Sequence, residues 1–248
     1  MRYFLEIAYR GTAYNGWQVQ DNTDKTVQGF LNRALKNTLR HEVETVAGGR
    51  TDAGVHCKRQ FVHFDVPDVM DSNAFLYKVN RCLPEDIYVS DLLAVQPTAH
   101  ARFDAVSRSY EYHISLEKNP FLEGLAVRYW FPLNIELMNE AAAKLFQYND
   151  FEAFSRTHTD VKTFLCDIYR AEWIRQGNDL VFYIRANRFL RGMVRTIVGT
   201  LLEVGRGKLS TEDFEAIIQS KKRTSAGKSA PPQGLFLTDV SYPAAVFV

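Results

Sequence analysis

The stretch Ala47-Gly48-Gly49-Arg50-Thr51-Asp52-Ala53-Gly54-Val55-His56 decides how the rest of the chain is read. Three glycines fall within seven residues, with a guanidinium, a hydroxyl, a carboxylate and an imidazole among them. Glycine reaches backbone angles closed to other residues and lets a second backbone or a ligand come close. Such a loop can hold Asp52 out at a fixed angle, with Arg50 two residues away. An Asp in a loop also commonly closes an Asx-turn, and the stretch alone leaves both readings open.

Working outward, the upstream segment carries Val27, Phe30, Leu31, Ala34, Leu35 and Leu39 at helical spacing, an amphipathic helix whose apolar stripe is core. Before it, Tyr3, Leu5, Ile7 and Tyr9 alternate with Phe4, Glu6 and Ala8, the period of a strand. Between strand and helix lies a loop, 11–18, whose Tyr14 and Trp17 stand beside Asn15 and Gln18. That composition suits either base stacking with hydrogen bonding or a packed turn. Downstream, 61–66 reads as a strand ended by Pro67. Phe75, Leu76, Val79, Cys82 and Leu83 then form a helix with Ser72 or Asn73 as its cap, and 87–95 is a further strand. Strand, helix, strand, helix, strand is an α+β unit, ferredoxin-like or a relative of that arrangement.

The pattern resumes after residue 107. Tyr110, Tyr112, Ile114 and Leu116 share one face of a strand. Ile135, Met138, Ala142, Leu145 and Phe146 form a helix capped by Asn134, and 166–175 with 180–186 form a hairpin about Gly177-Asn178-Asp179. The most regular apolar stripe is Leu190, Met193, Val194, Ile197, Val198 and Leu201; Ser210 to Asp213 caps a last short helix. The Pro/Ser/Gly-rich segment 221–233 reads as a mobile loop, and 235–240 as a closing strand. Two α+β halves follow, 1–105 and 106–248, with a boundary near 100–107; no internal sequence repeat accompanies them.

At 248 residues, with 24% charged and 46% hydrophobic side chains, the composition is that of a soluble globular protein. No membrane span and no secretory leader are expected. Three scattered cysteines make a poor disulfide framework and a poor zinc site, which fits a reducing cytoplasm. His56 and His63 are weak as a metal pair, and no metal or cofactor is expected. The net charge of +1 announces no polyanionic partner, yet residues 185–228 hold ten basic against four acidic side chains. Arg188, Arg191 and Arg195, three and four apart, form one stripe beside the apolar face if the helix includes them, suited to phosphate or carboxylate. With no Walker loop, dinucleotide fingerprint or nucleophile elbow, Asp52 is the best catalytic candidate, since a carboxylate can act as a covalent nucleophile.

Gly49-Arg50-Thr51-Asp52-Ala53-Gly54-Val55-His56 resembles the signature of the TruA family of tRNA pseudouridine synthases. The resemblance runs through most of the chain. It includes Tyr9-Arg10-Gly11-Thr12 with Gly16-Trp17-Gln18, and Ala101-Arg102-Phe103-Asp104-Ala105 leading to Arg108-Ser109-Tyr110-Glu111-Tyr112. It continues in Asn187-Arg188-Phe189-Leu190 with Met193-Val194-Arg195, and in Ala230-Pro231-Pro232 with Gly234-Leu235. Arg10 stands where the family usually has Asp, and Arg191-Gly192 where an aromatic–His pair is commoner.

The resemblance implies two ferredoxin-like or RRM-like halves forming one continuous, mostly antiparallel sheet, with the active-site cleft between them. It implies Asp52 as catalytic nucleophile, Arg195 as its paired catalytic cation and Tyr110 as the residue stacking on the target base. It further implies Leu235 packing in the pocket and Arg50 aiding base extrusion; Arg188 and Arg191, by their charge and spacing, are expected on RNA. The expected enzyme is a cofactor-free, metal-free cytoplasmic homodimer. It would isomerise uridines of the tRNA anticodon arm, at roughly positions 38 to 40, by reading tRNA shape and phosphates. Asp52 could attack C1′ or C6 or assist a glycal route. A non-catalytic RNA-binding protein would not need Asp52, and an aspartyl-nucleophile hydrolase would not need the basic residues; these are the two alternatives.

Overall fold

The computed structural model describes residues 1–157 and 161–248. The chain forms two compact units, residues 1–106 with 236–248, and residues 107–235. The first opens with β1 (Arg2–Tyr9), α1 (Val27–Leu39), β2 (Val46–Ala47), β3 (His56–Asp65), α2 (Ser72–Cys82) and β4 (Ile87–Val95). The second holds β5 (Ser107–Ser115), β6 (Val127–Arg128), α3 (Ile135–Lys144), β7 (Ile168–Gln176), β8 (Asp179–Ala186), α4 (Met193–Gly205) and α5 (Thr211–Ser220). β9 (Leu235–Ser241) begins at the end of the second unit and runs on into the first. The class is α+β with mixed, mostly antiparallel strand pairing.

In the first unit β1 lies between β3 and β4, antiparallel to both, and β2 pairs with β3. Phe236 and Leu237 of β9 add in parallel to His56 and Cys57 of β3. The alternation predicted for β1 breaks at Phe4, which is fully buried like Tyr3 and Leu5. The C-terminal segment covers that other face: Tyr242 and Phe247 meet the Phe4 ring edge-on at 5.1 and 6.1 Å. α1 follows its predicted stripe, burying Val27, Leu31, Ala34 and Leu35, with the Thr26 hydroxyl accepting from Gly29 N–H. α2 is capped by Asp71, one residue before the predicted pair, because its carboxylate reaches Ala74 N–H.

In the second unit β8 lies between β5 and β7, antiparallel to both, and β6 pairs in parallel with β5. The β7–β8 hairpin turns at Gly177 (φ +63°), and Asn134 caps α3 as predicted. Ser210 and Asp213 form a reciprocal capping box on α5. α4 is buried on nearly every side, so its stripe widens to a whole core helix. It starts at Met193, because Gly192 takes a left-handed φ of +73°. Leu190 is buried but precedes the helix, and Arg188 and Arg191 also lie outside it. The three arginines therefore do not form a helical stripe.

The segment 221–233, expected to be mobile, is tied down. Ala230 N–H donates to Arg195 O at 2.8 Å, and Gly227 N–H to Thr200 Oγ1 at 3.1 Å. Thr196 and Ser229 share a hydroxyl bond of 3.0 Å. The enabling residue is Gly199, where a Cβ would overlap the Lys228 carbonyl. In an unencumbered helix, Gly→Ala stabilises by about 1 kcal/mol. Here Gly199→Ala should instead destabilise by about 1–3 kcal/mol through overpacking, read as a lower midpoint in urea denaturation.

Candidate active site

Residues 48–55 connect β2 to β3, and their shape is imposed by the neighbouring loop 9–17 of the same unit. Trp17 N–H donates to Thr51 O at 3.1 Å, Gly54 N–H to Tyr14 O at 3.2 Å, and Val55 N–H to Asp52 O at 3.1 Å. Gly11 N–H donates to His56 Nδ1 at 3.1 Å, and the His56 ring stacks on Phe236 at 4.5 Å. A Cβ on Gly11 would overlap the Val55 carbonyl, and one on Gly16 would meet Thr51 O at 2.8 Å. The two loops touch backbone to backbone.

Below them runs a buried polar relay. Gln60 Nε2 donates to Tyr9 Oη at 3.1 Å, and Tyr9 Oη shares a 2.8 Å bond with Thr51 Oγ1. Removing the Tyr9 hydroxyl would strand two buried partners, at a cost of about 1–3 kcal/mol. Thr51 and Val55 are buried, Asp52 is half-buried and Ala53 is exposed. The carboxylate thus sits on an accessible crest between fixed flanks. Exposed Arg50 has its guanidinium pulled below arginine's ordinary value, by burial of its charged end and by the nearby Arg102.

Tyr14 and Trp17, which the composition left open as stacking residues, are only 6% and 2% exposed. They are the packed turn. His56 and His63 each spend Nδ1 on a backbone N–H, of Gly11 and Ala101 respectively. Among the described residues no group of three or more His, Cys, Asp or Glu side chains is arranged to hold a metal ion.

In the second unit Tyr110 lies on β5, opposite Ile184 of β8. Its strand face is core at Tyr112 and Ile114 but only half-buried at Tyr110, which meets Phe189 edge-on at 5.2 Å. Arg195, in the first turn of α4, donates from Nε to Ala230 O at 2.7 Å, so its side chain is anchored to the 221–234 segment. Its charge lies close enough to Tyr112 to oppose the upward push that burial gives that phenol. Tyr112 in turn donates to Pro231 O at 2.9 Å. Leu235 is buried at the start of β9. Arg188 is half-buried and Arg191 exposed, both in the irregular stretch before α4.

The chain is 51% identical over 249 residues to a tRNA pseudouridine synthase A of Bacteroides thetaiotaomicron, covering 99% of this chain and 92% of that protein. The chain belongs to the TruA family of tRNA pseudouridine synthases. The same name is carried by a Bacteroides fragilis protein, 50% identical over 99% of this chain and 98% of the relative, and by one from Bacillus pumilus, 38% identical over 98% and 99%. A family profile described as tRNA pseudouridine synthase matches residues 141–243. As a TruA-family member the protein is an isomerase that modifies tRNA, and no helix among its described residues is long and apolar enough to cross a membrane.

What sequence reading missed in this TruA chain is the support of the Asp52 loop: Tyr9, Gln60 and His56. The available signal was Gln60, an amide heading the apolar run Phe61-Val62 of its strand. A second missed support is His63, buried in β3, whose Nδ1 accepts Ala101 N–H at 3.0 Å. Burial, with the Arg2 and His100 charges, lowers its pKa to about 4 against the pull of Asp65 and Asp104. The unfolded chain, with an ordinary histidine near 6.5, takes up a proton first as pH falls. Stability contributed by His63 is therefore complete above about pH 6.5 and is lost progressively toward about pH 4. Thermal midpoints measured across that window should fall, and His63→Gln should flatten the slope.

Proposed function

We propose that this enzyme isomerises uridine in the anticodon arm of tRNA, at roughly positions 38 to 40, reading the arm by its shape and phosphates, with Asp52 as the catalytic carboxylate. The observation that carries the reading is the Asp52 loop: a half-buried Asp52 between buried Thr51 and Val55, with Thr51 O and Gly54 N–H bonded to the backbone of loop 9–17. Preorganisation of this kind is what a nucleophile or charge-stabilising group requires.

The reaction breaks the N1–C1′ bond, turns the base and joins C5 to C1′. N1 gains a proton and C5 loses one to water, so composition is unchanged and no external electron or group donor is needed. A carboxylate serves each route, whether by attack at C1′, by addition at C6 or by assisting a glycal. A stacked uridine must first leave its stack, at a cost of a few kcal/mol. Tyr110 offsets part of that by stacking, worth about 1–3 kcal/mol per base. In this reading Leu235 packs beside the base, Arg50 aids extrusion, Arg195 supplies the counter-charge to Asp52, and Arg188 and Arg191 meet phosphate. The halves 1–105 and 106–248 are ferredoxin-like in this reading, and the enzyme is a cytoplasmic homodimer. Support for the roles of Asp52, Tyr110, Arg195, Leu235 and Arg50 is the match of each to the family's motifs; for Arg188 and Arg191 it is the excess of basic residues over 185–228.

The test is tRNA carrying tritium at uridine C5. Asp52→Asn should reduce label release by about 10³-fold or more, while tRNA still binds in a filter assay. Release at the wild-type rate would remove Asp52 from the chemistry.

A further inference from the structure

One motif is left without a task by that reading: the turn at 100–104 in the first unit. It is rigidly built. The His100 imidazole Nδ1 accepts both Arg102 N–H at 3.1 Å and Phe103 N–H at 3.2 Å. Asp104 closes the other side, accepting His100 N–H at 2.7 Å on Oδ2 and donating its own N–H to His100 O at 3.0 Å. Ala101 at the centre is held twice, by His63 through its N–H and by the Tyr242 hydroxyl at 2.5 Å through its carbonyl. All these groups belong to one unit.

On this frame Phe103 is displayed outward, 73% exposed. The His100 ring supports one side of it at 4.2 Å, with 30° between the planes. The Arg102 guanidinium lies 5.6 Å from the ring centroid. Single exposed apolar residues are common and need no explanation. An aromatic ring backed by an imidazole, flanked by a guanidinium and carried on a turn fixed by six hydrogen bonds is a different object. The turn also adjoins the Asp52 loop, since a Cβ on Gly48 would meet Ala101 O at 3.1 Å. Arg50, from that loop, and Arg102 are both exposed.

We infer that Phe103 is a stacking platform for an unpaired tRNA base next to the target uridine, with Arg102 and Arg50 holding the phosphates on either side of that base. Single-stranded RNA is recognised in this way, by bases laid on aromatic faces with cations tracking the backbone. A guanidinium edge beside the ring adds cation–π attraction to the same base. The occupant is RNA because the enzyme modifies tRNA, because the two exposed charges beside the ring, Arg50 and Arg102, are positive while the Asp104 carboxylate is half-buried and bonded to His100 N–H, and because an extruded uridine leaves unstacked neighbours. The inference rests on the Asp52 loop being the catalytic loop.

The measurement is steady-state tritium release with three variants, plus fluorescence. Phe103→Leu keeps apolar bulk but removes the π-face. It should raise KM for tRNA about tenfold, equivalent to about 1.4 kcal/mol, with kcat within about twofold and an unchanged thermal midpoint. Phe103→Trp should restore KM, and its added fluorescence, taken as the difference from wild type, should be quenched by saturating tRNA. Arg102→Gln should lower the salt slope of tRNA binding by about one. A wild-type KM in Phe103→Leu, or no quenching in Phe103→Trp, overturns the inference. Quenching is a binding readout, so it stands apart from whether Asp52→Asn is inactive.

Discussion

Backbone-to-backbone contact between two loops governs the geometry of the proposed catalytic loop. Loop 9–17 and loop 48–55 meet where Gly11 faces the Val55 carbonyl, and they exchange hydrogen bonds at Trp17–Thr51 and Tyr14–Gly54. Nothing larger than hydrogen fits at Gly11, so the contact is set by sterics before any side chain contributes. The side chains then lock it from below, through the Gln60–Tyr9–Thr51 relay, and from the flank, through His56. A buried polar relay of this sort specifies one arrangement, because any slip leaves unsatisfied groups in a low-dielectric interior. Asp52 inherits its position from that lock.

The same device recurs in the second unit. There Gly199 lets the 221–234 segment lie on α4, and Arg195 is held by Ala230 through its own side chain. In both units a glycine close approach fixes a segment that composition alone would mark as flexible. A side chain proposed to act directly on the nucleotide depends on being placed before the substrate arrives. Rigid loops on rigid strands and helices are the physical means to that end.

Much of the fold was legible in the sequence because burial imposes periodicity. α1, α3, β4 and the β7–β8 hairpin lie where spacing and turn residues put them, and the Ser210 capping box was readable from four residues. The failures share a cause. Period and composition do not encode contacts between distant backbones, so the 221–233 segment reads as a mobile loop. α4 was extended back to Leu190 because that side chain is buried, while the left-handed Gly192 ends the helix before it. Phe4 read as outward because the C-terminal aromatics that cover it lie more than two hundred residues away. Of the candidate site, the Asp52 loop could be recognised by its motif, and its support could not.

The contact between the two loops positions the carboxylate proposed to act on the uridine. Gly11→Ala tests it most directly, by single-turnover tritium release set beside the dissociation constant for tRNA. A displacement of Asp52 by about 1 Å should lower the rate about 100-fold, with binding within about threefold and the variant still folded by circular dichroism. A folded Gly11→Ala enzyme that releases tritium at the wild-type rate would show that the loop contact does not set the position of Asp52.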